Sequence, residues 1–182
     1  YAIAAKVPML EPADSAEAKE FVKLAYELSE RFDTPVIVRM CTRIAHSQCQ
    51  VELENRQELK PLEYKKNPAK YIMAPANAIK RHPFVEERTA RLREYGESAD
   101  INRIERGSSD RIGIICAGTC YQYVKEALGD GVSVLKLGLV NPLPDRLIRE
   151  FAASVEKLYV IEELDGVIQG HVSSLGLECV GK

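Results

Sequence analysis

From Arg111 onward the chain settles into a regular alternation, and no other feature constrains its fold as tightly. RIGIICAG is an apolar run of strand length, TCYQYVKEAL has helical spacing, and VSVLKLG is again a strand. DRLIREFAASVE follows as a helix, KLYVIEEL as a strand and DGVIQGHVSSLGL as a helix. Strands that alternate with helices at this spacing read as βαβ units: a parallel sheet with right-handed crossovers. The predicted fold class is therefore α/β, built on a parallel sheet of βα units.

The first half carries one strong helix. Asp14 with Glu17 three residues on is a capping-box pattern, and Ala18, Phe21, Val22, Ala25, Leu28 and Phe32 recur on one face. Asp33-Thr34-Pro35 ends that helix, because the residue before a proline is pushed out of the helical region. Val36 to Met40 then reads as a short strand apolar on both faces, which suits a parallel sheet covered by helices. From about Ser47 to Ser109 polar residues dominate, with prolines at Pro61, Pro68, Pro75 and Pro83. Here a helix is expected from Pro83 to about Tyr95, with proline in its first turn. This stretch reads as a connector without a core of its own, and Gly107 to Asp110 (GSSD) as its far boundary.

Composition narrows the function classes. A net charge of -2 gives no electrostatic case for nucleic acid or an anionic membrane surface. No apolar run approaches the roughly 20 residues a membrane helix needs. Cys41, Cys49, Cys116, Cys120 and Cys179 are odd in number and include no CxxC pair. They fit free thiols in a reducing cytoplasm rather than a disulfide scaffold. His46, His82 and His171 are scattered, so neither a metal site nor an iron–sulfur cluster is expected from this chain alone. The sequence has no initiator Met and no signal peptide, and it reads as starting within a longer protein.

Four places could carry chemistry. Gly118-Thr119, in CAGTC, sits at a strand-to-helix turn where backbone N–H groups could receive an anion, although a structural turn is favoured. Cys116 and Cys120 flank it. Cys120, in the first helical turn, could be a thiolate favoured by the helix dipole, but small buried residues are the better reading. Glu162-Glu163 close the third strand, and a capping or subunit-interface role is favoured over catalysis. Arg43 and His46, just past the carboxyl end of the Val36 strand, could grip a carboxylate substrate or could be solvated loop charges. The residues by themselves go no further than a parallel α/β domain preceded by a helix–strand piece.

Three blocks carry a resemblance: EPADSAEAKEFVKLAYELSERFDTPVIVRMCTRIAHS, EYKKNPAKYIMAPANAIKRH, and IGIICAGTCYQYVKEAL through LKLGLVNPLP to LYVIEELDG. In register over nearly the whole chain, they resemble the α subunits of indolepyruvate:ferredoxin oxidoreductases, which are thiamine-dependent 2-oxoacid:ferredoxin oxidoreductases. The resemblance implies an internal fragment. Residues 1–46 would end a thiamine-pyrimidine-binding-like domain and residues 47–108 would form an interdomain crossover. Residues 109–182 would begin a domain like the C-terminal domain of transketolase. It implies a parent that oxidatively decarboxylates indolepyruvate and other aryl pyruvates to aryl-acetyl-CoA, reducing ferredoxin. Thiamine diphosphate, Mg and [4Fe–4S] clusters would be held outside this stretch, with CoA as substrate and a β subunit as partner in a cytoplasmic oligomer. The isolated chain would then be structural and inactive, with Arg43 and His46 its best candidates for facing the parent's active site. The alternative is a self-sufficient α/β binding or assembly domain without catalytic activity, or a small enzyme using Cys120.

Overall fold

The computed structural model describes residues 1–182 except residue 57 and residues 59–62, so Pro61 lies outside the described residues. A short helix α1 (Ala2–Ala5) leads to strand β1 (Met9–Leu10), helix α2 (Ser15–Phe32), strand β2 (Ile37–Val38) and helix α3 (Thr42–His46). The connector contributes α4 (Pro68–Tyr71), α5 (Pro75–Gly96) and β3 (Arg103–Glu105). The alternating half supplies β4 (Ile112–Ala117), α6 (Thr119–Leu128), β5 (Ser133–Leu137) and β6 (Leu139–Asn141). It ends with α7 (Asp145–Ala153), β7 (Lys157–Ile161) and α8 (Val167–Ser174).

The main sheet has the order β3-β5-β4-β7. Strand β4 runs parallel to both β5 and β7, as the alternation requires. The edge strand β3 is antiparallel, with Ile104 opposite Leu135, so the sheet is mixed and borrows one strand from the connector. One face buries Ile115, Leu135 and Val160 under Ile148 and Phe151 of α7 and Ile168 and Val172 of α8. The other buries Ile114, Cys116 and Val134 under Cys120 and Val124 of α6. Strands covered on both faces explain the near-continuous apolar runs of the sequence.

A second sheet, β2-β1-β6, joins the two halves of the chain: β1 is parallel to β2 and antiparallel to β6. The chain passes from the main sheet to this one at Gly138. A Cβ there would lie 2.6 Å from the Ile101 carbonyl oxygen and 2.8 Å from the Phe21 ring, so only glycine fits. The buried Asn102 side chain secures the crossing. Its Oδ1 accepts from the Gly138 and Leu139 N–H groups at 2.9 and 3.0 Å, and its Nδ2 donates to the Gly96 carbonyl at 2.8 Å.

Helix α2 packs Phe21, Leu28 and Phe32 against Leu10 and Leu139 of the small sheet and Leu92 of α5. Asp14 caps it, accepting from the Glu17 N–H at 2.8 Å, while the Glu17 carboxylate reaches back to the Ala13 N–H at 2.6 Å. The reciprocal bond thus falls one residue earlier than a standard capping box, on the residue before the N-cap. Glu17 also pairs with the ammonium of Lys136, which is fully buried on β5. Asp33 takes the left-handed conformation at φ 52° and closes the helix where the sequence places its end.

Helix α5 differs from expectation in length. It starts at Pro75, not Pro83, and Pro83 lies inside it. The turns before Pro83 are largely exposed, so water can serve the carbonyl group that proline leaves without a donor. Its carboxyl half is buried at Arg88, Leu92 and Gly96, and with Tyr95 it completes the core around α2.

Candidate functional site

Because α6 lies on one face of the main sheet and α8 on the other, the chain leaves β4 and β7 in opposite directions. The carboxyl ends of these two neighbouring strands therefore open a crevice, the position where open α/β sheets hold ligands. A cleft of about 200 Å³ lies there, lined by Glu11, Arg39, Ala117, Glu162, Glu163 and Asp165, among others. It is smaller than the roughly 300–1,000 Å³ typical of small-molecule sites.

Glu11 and Arg39 follow directly on β1 and β2, and the small sheet carries them to the mouth of the crevice. The Arg39 guanidinium donates to the Glu11 carboxylate, whose side chain is 13% exposed. Burial pushes the Glu11 pKa up despite Arg39, and the charges of Glu163 and Glu162 push it further. Gly118, at φ 54° and ψ -144°, makes the turn out of β4. A Cβ at this residue would lie 2.8 Å from the Glu11 carboxylate, so glycine is required by conformation and by space.

The two glutamates after β7 divide their roles. Glu162 accepts from the N–H groups of Ile168 and Gln169 at 2.8 and 2.9 Å, capping α8. Glu163 accepts from the Thr119 hydroxyl at 3.2 Å, and the Cys41 sulfur lies 3.6 Å from that same oxygen. The capping role expected of this pair thus falls to Glu162, while Glu163 ties β7 to the first residue of α6 and, through Thr119, to the start of α3.

Arg43 and His46 lie on α3 and are both exposed. Arg43 stacks on Tyr123 of α6, 5.4 Å from the ring centroid, and it is Arg39, four residues earlier, that lines the crevice. Cys116 and Cys120 are buried, and burial pushes their thiols up to about 12 and about 11. Burial at this position favours packing over a helix-activated thiolate for Cys120. Glu11 escaped the sequence reading because β1 is only two residues long, and Arg39 because it falls inside the run from Val36 to Met40 read as strand, four residues short of the candidate Arg43. The available signal was the charge that follows the apolar pairs Met9-Leu10 and Ile37-Val38.

Among the described residues, no three His, Cys, Asp or Glu side chains converge as a metal centre needs. The protonated, buried thiols of Cys116 and Cys120 are likewise poor cluster ligands. Among the described residues, no grouping of side chains fits a resident iron–sulfur cluster or the metal of a metal–diphosphate group.

The architecture is that of 2-oxoacid:ferredoxin oxidoreductase and transketolase chains. It superposes on a chain of "2-oxoglutarate:ferredoxin oxidoreductase from Magnetococcus marinus with 2-oxoglutarate, coenzyme A and succinyl-CoA bound" with a TM-score of 0.65. That match covers 97% of this chain and 38% of the other at 16% identity. A "Split gene transketolase, inactive beta4 tetramer" gives a TM-score of 0.52 at 15% identity, over 97% of this chain and 47% of that one. No family model matches the chain. Indolepyruvate oxidoreductase subunit IorA of Archaeoglobus fulgidus is 38% identical over all of this chain and 30% of its own length. The subunits of the same name from Thermococcus kodakarensis and Methanothermobacter thermautotrophicus are 39% and 35% identical. They match 96% and 94% of this chain and 28% and 29% of their own lengths. The chain is similar along nearly its whole length to these subunits and spans about 30% of the length of the curated relatives it matches.

Proposed function

We propose that this chain is one part of a thiamine-dependent oxidoreductase subunit. The whole enzyme would convert indolepyruvate and other aryl pyruvates, with CoA, to aryl-acetyl-CoA and pass the electrons to ferredoxin. The observation that carries this reading is 35–39% identity, sustained along nearly the whole chain, to six subunits with one name. In this reading residues 1–46 end a pyrimidine-binding-like domain, 47–108 cross over, and 109–182 belong to the transketolase-C-terminal-like domain. Thiamine diphosphate, magnesium and the [4Fe–4S] clusters are held by other parts of a cytoplasmic oligomer that includes a β subunit. The residues described here organise the crevice and pack the crossover, and the isolated chain has no turnover.

The test uses the full polypeptide that contains this chain, purified with its partner subunit. Indolepyruvate- and CoA-dependent reduction of ferredoxin is expected, with phenylpyruvate analogues also accepted. Turnover confined to short aliphatic 2-oxoacids refutes the substrate assignment, and turnover by residues 1–182 alone refutes the division of labour. In the full enzyme Arg43→Ala separates two readings of that residue: a raised KM for the oxoacid places it at the active site, and unchanged kinetics leave it as the stacking partner of Tyr123.

A further inference from the structure

A second, larger cleft lies away from the strand ends, between the carboxyl end of α2, helix α5 and the loop through Tyr64. Its volume of about 660 Å³ is within the range of small-molecule sites. Four cations line it: Lys65, Lys70, Arg81 and Arg88. Three carboxylates oppose them, Glu30, Glu63 and Asp33, and Asp33 receives Lys70 at 2.6 Å and Arg81 at 3.0 Å.

Arg88 is the unusual member. It is 6% exposed, and among the described residues its guanidinium donates only to the backbone carbonyls of Asp33 and Lys6, at 2.8 and 3.5 Å. Among the described residues its buried Nε has no hydrogen-bond partner, and the Asp33 carboxylate, engaged by Lys70 and Arg81, acts on it through space without a direct bond. A buried cation without a directly paired counter-charge is costly, and an orphaned buried donor calls for a missing partner. Burial, and then repulsion from Arg81, holds its pKa below the usual arginine value.

We propose that this cleft is a binding site for a phosphate-bearing anion, which gives Arg88 the direct counter-charge that Asp33, taken up by Lys70 and Arg81, does not provide, and draws on Arg81, Lys70 and Lys65. Guanidinium forks suit phosphate oxygens, and clustered ammonium groups add attraction without demanding geometry. Asp33 occupies Arg81 and Lys70 in the absence of the ligand, so it competes with the anion. The proposal is independent of the reading of the whole enzyme.

Two substitutions make the test directional. Arg81→Ala removes a cation whose side chain is partly exposed, and pyrophosphate affinity, measured by calorimetry on the chain, is expected to fall about tenfold or more. Asp33→Asn keeps a residue that tolerates the left-handed helix end, at φ 52°, and releases both cations. It is expected to tighten pyrophosphate binding, an effect that general damage to the fold cannot produce. ADP binding more tightly than pyrophosphate assigns a phosphate ester whose organic part rests on the exposed Tyr64, and equal affinities assign the free anion. Absence of saturable pyrophosphate binding overturns the site, as does weaker binding by Asp33→Asn or a preference for acetate over pyrophosphate.

Discussion

Replacing Glu17 by glutamine removes the counter-charge of a fully buried ammonium while keeping the shape of the side chain. Lys136 has no exposed surface, and Glu17 is 15% exposed. Glutamine can still accept from the Ala13 N–H, so the helix cap survives. What remains around Lys136 is the rings of Phe21 and Tyr121, 5.6 and 5.4 Å away, the like charge of Arg103 and the weaker, more distant attraction of Asp14. Breaking one side of such a pair costs about 3–5 kcal/mol. Lys136→Met has the opposite economy. It removes the buried cation and leaves Glu17 with the Ala13 N–H and with Arg103 Nη1 at 3.5 Å, so a change of about 1 kcal/mol or less is expected.

The double variant should recover most of the loss, giving a coupling of about 2 kcal/mol or more in urea titrations analysed as a cycle. pH supplies an independent check. Burial already lowers the Lys136 pKa, and loss of Glu17 lowers it further. Between that folded value and the unfolded value near 10.5, the unfolded chain binds more protons, so stability rises with pH. The deficit of Glu17→Gln should therefore shrink as pH rises toward 10.5, measured against Lys136→Met/Glu17→Gln under the same conditions. A deficit independent of pH, or equal losses in the two single variants, refutes the charge-burial reasoning and leaves Glu17 as a cap alone.

Asn102→Leu strands the N–H groups of Gly138 and Leu139 and the Gly96 carbonyl, and at about 1 kcal/mol or more for each buried group should cost about 3 kcal/mol or more. A urea midpoint unchanged from wild type would remove this side chain from the account of the sheet crossing. Gly118→Ala meets both a left-handed φ and the Glu11 carboxylate, and a loss of about 1–3 kcal/mol is expected in thermal melts. If Glu11→Ala in the same background restores none of it, the steric part is wrong. Cys116 and Cys120 have folded pKa values of about 12 and about 11 against a usual 9.0. The folded state then holds protons the unfolded state has lost, so their contribution is complete below pH 9.0 and fades as pH rises through the folded values. In the native protein a thiol reagent should modify exposed Cys49 first and spare Cys116 and Cys120 until unfolding. Prompt reaction of Cys120 would restore the activated-thiol reading.

The parts of the fold legible in sequence are those whose burial is long enough to leave a period. Strands β4, β5 and β7 each span five or six residues and carry their apolar runs in view. Strand β1 is two residues and β6 three, too short for any period to register, whereas β2 (Ile37–Val38) lies inside the apolar run from Val36 to Met40 that reads as a strand. Yet these short strands link the first forty residues to the rest and bring Glu11 and Arg39 to the crevice. The antiparallel edge β3 is hidden for a related reason: Arg103-Ile104-Glu105 offers one apolar residue, and its pairing is set by β5. Lys136 was legible in principle. A lysine between Leu135 and Leu137, in a strand covered on both faces, requires a carboxylate from elsewhere. The capping glutamate of α2 supplies it, serving a local and a long-range role at once.

The charge arrangement at the strand ends bears on what the crevice can do. Glu162 is committed to the amino end of α8, Glu163 to Thr119, and Glu11 to Arg39. Each carboxylate thus fixes one element to another: β7 to α8, β7 to α6, and β1 to β2. Removing Arg39 would leave Glu11 facing two other carboxylates in a buried place, and its raised pKa would climb further. A folded-state pKa raised above the usual 4.5 makes stability greatest below that value and lower as pH rises through it. The crevice is therefore held together by mutually dependent charges, which suits a surface that must keep its shape against a neighbouring domain or subunit. A reacting group placed there would first have to displace one of these bonds, and each displacement would loosen a strand end. That cost favours a positioning role for the crevice.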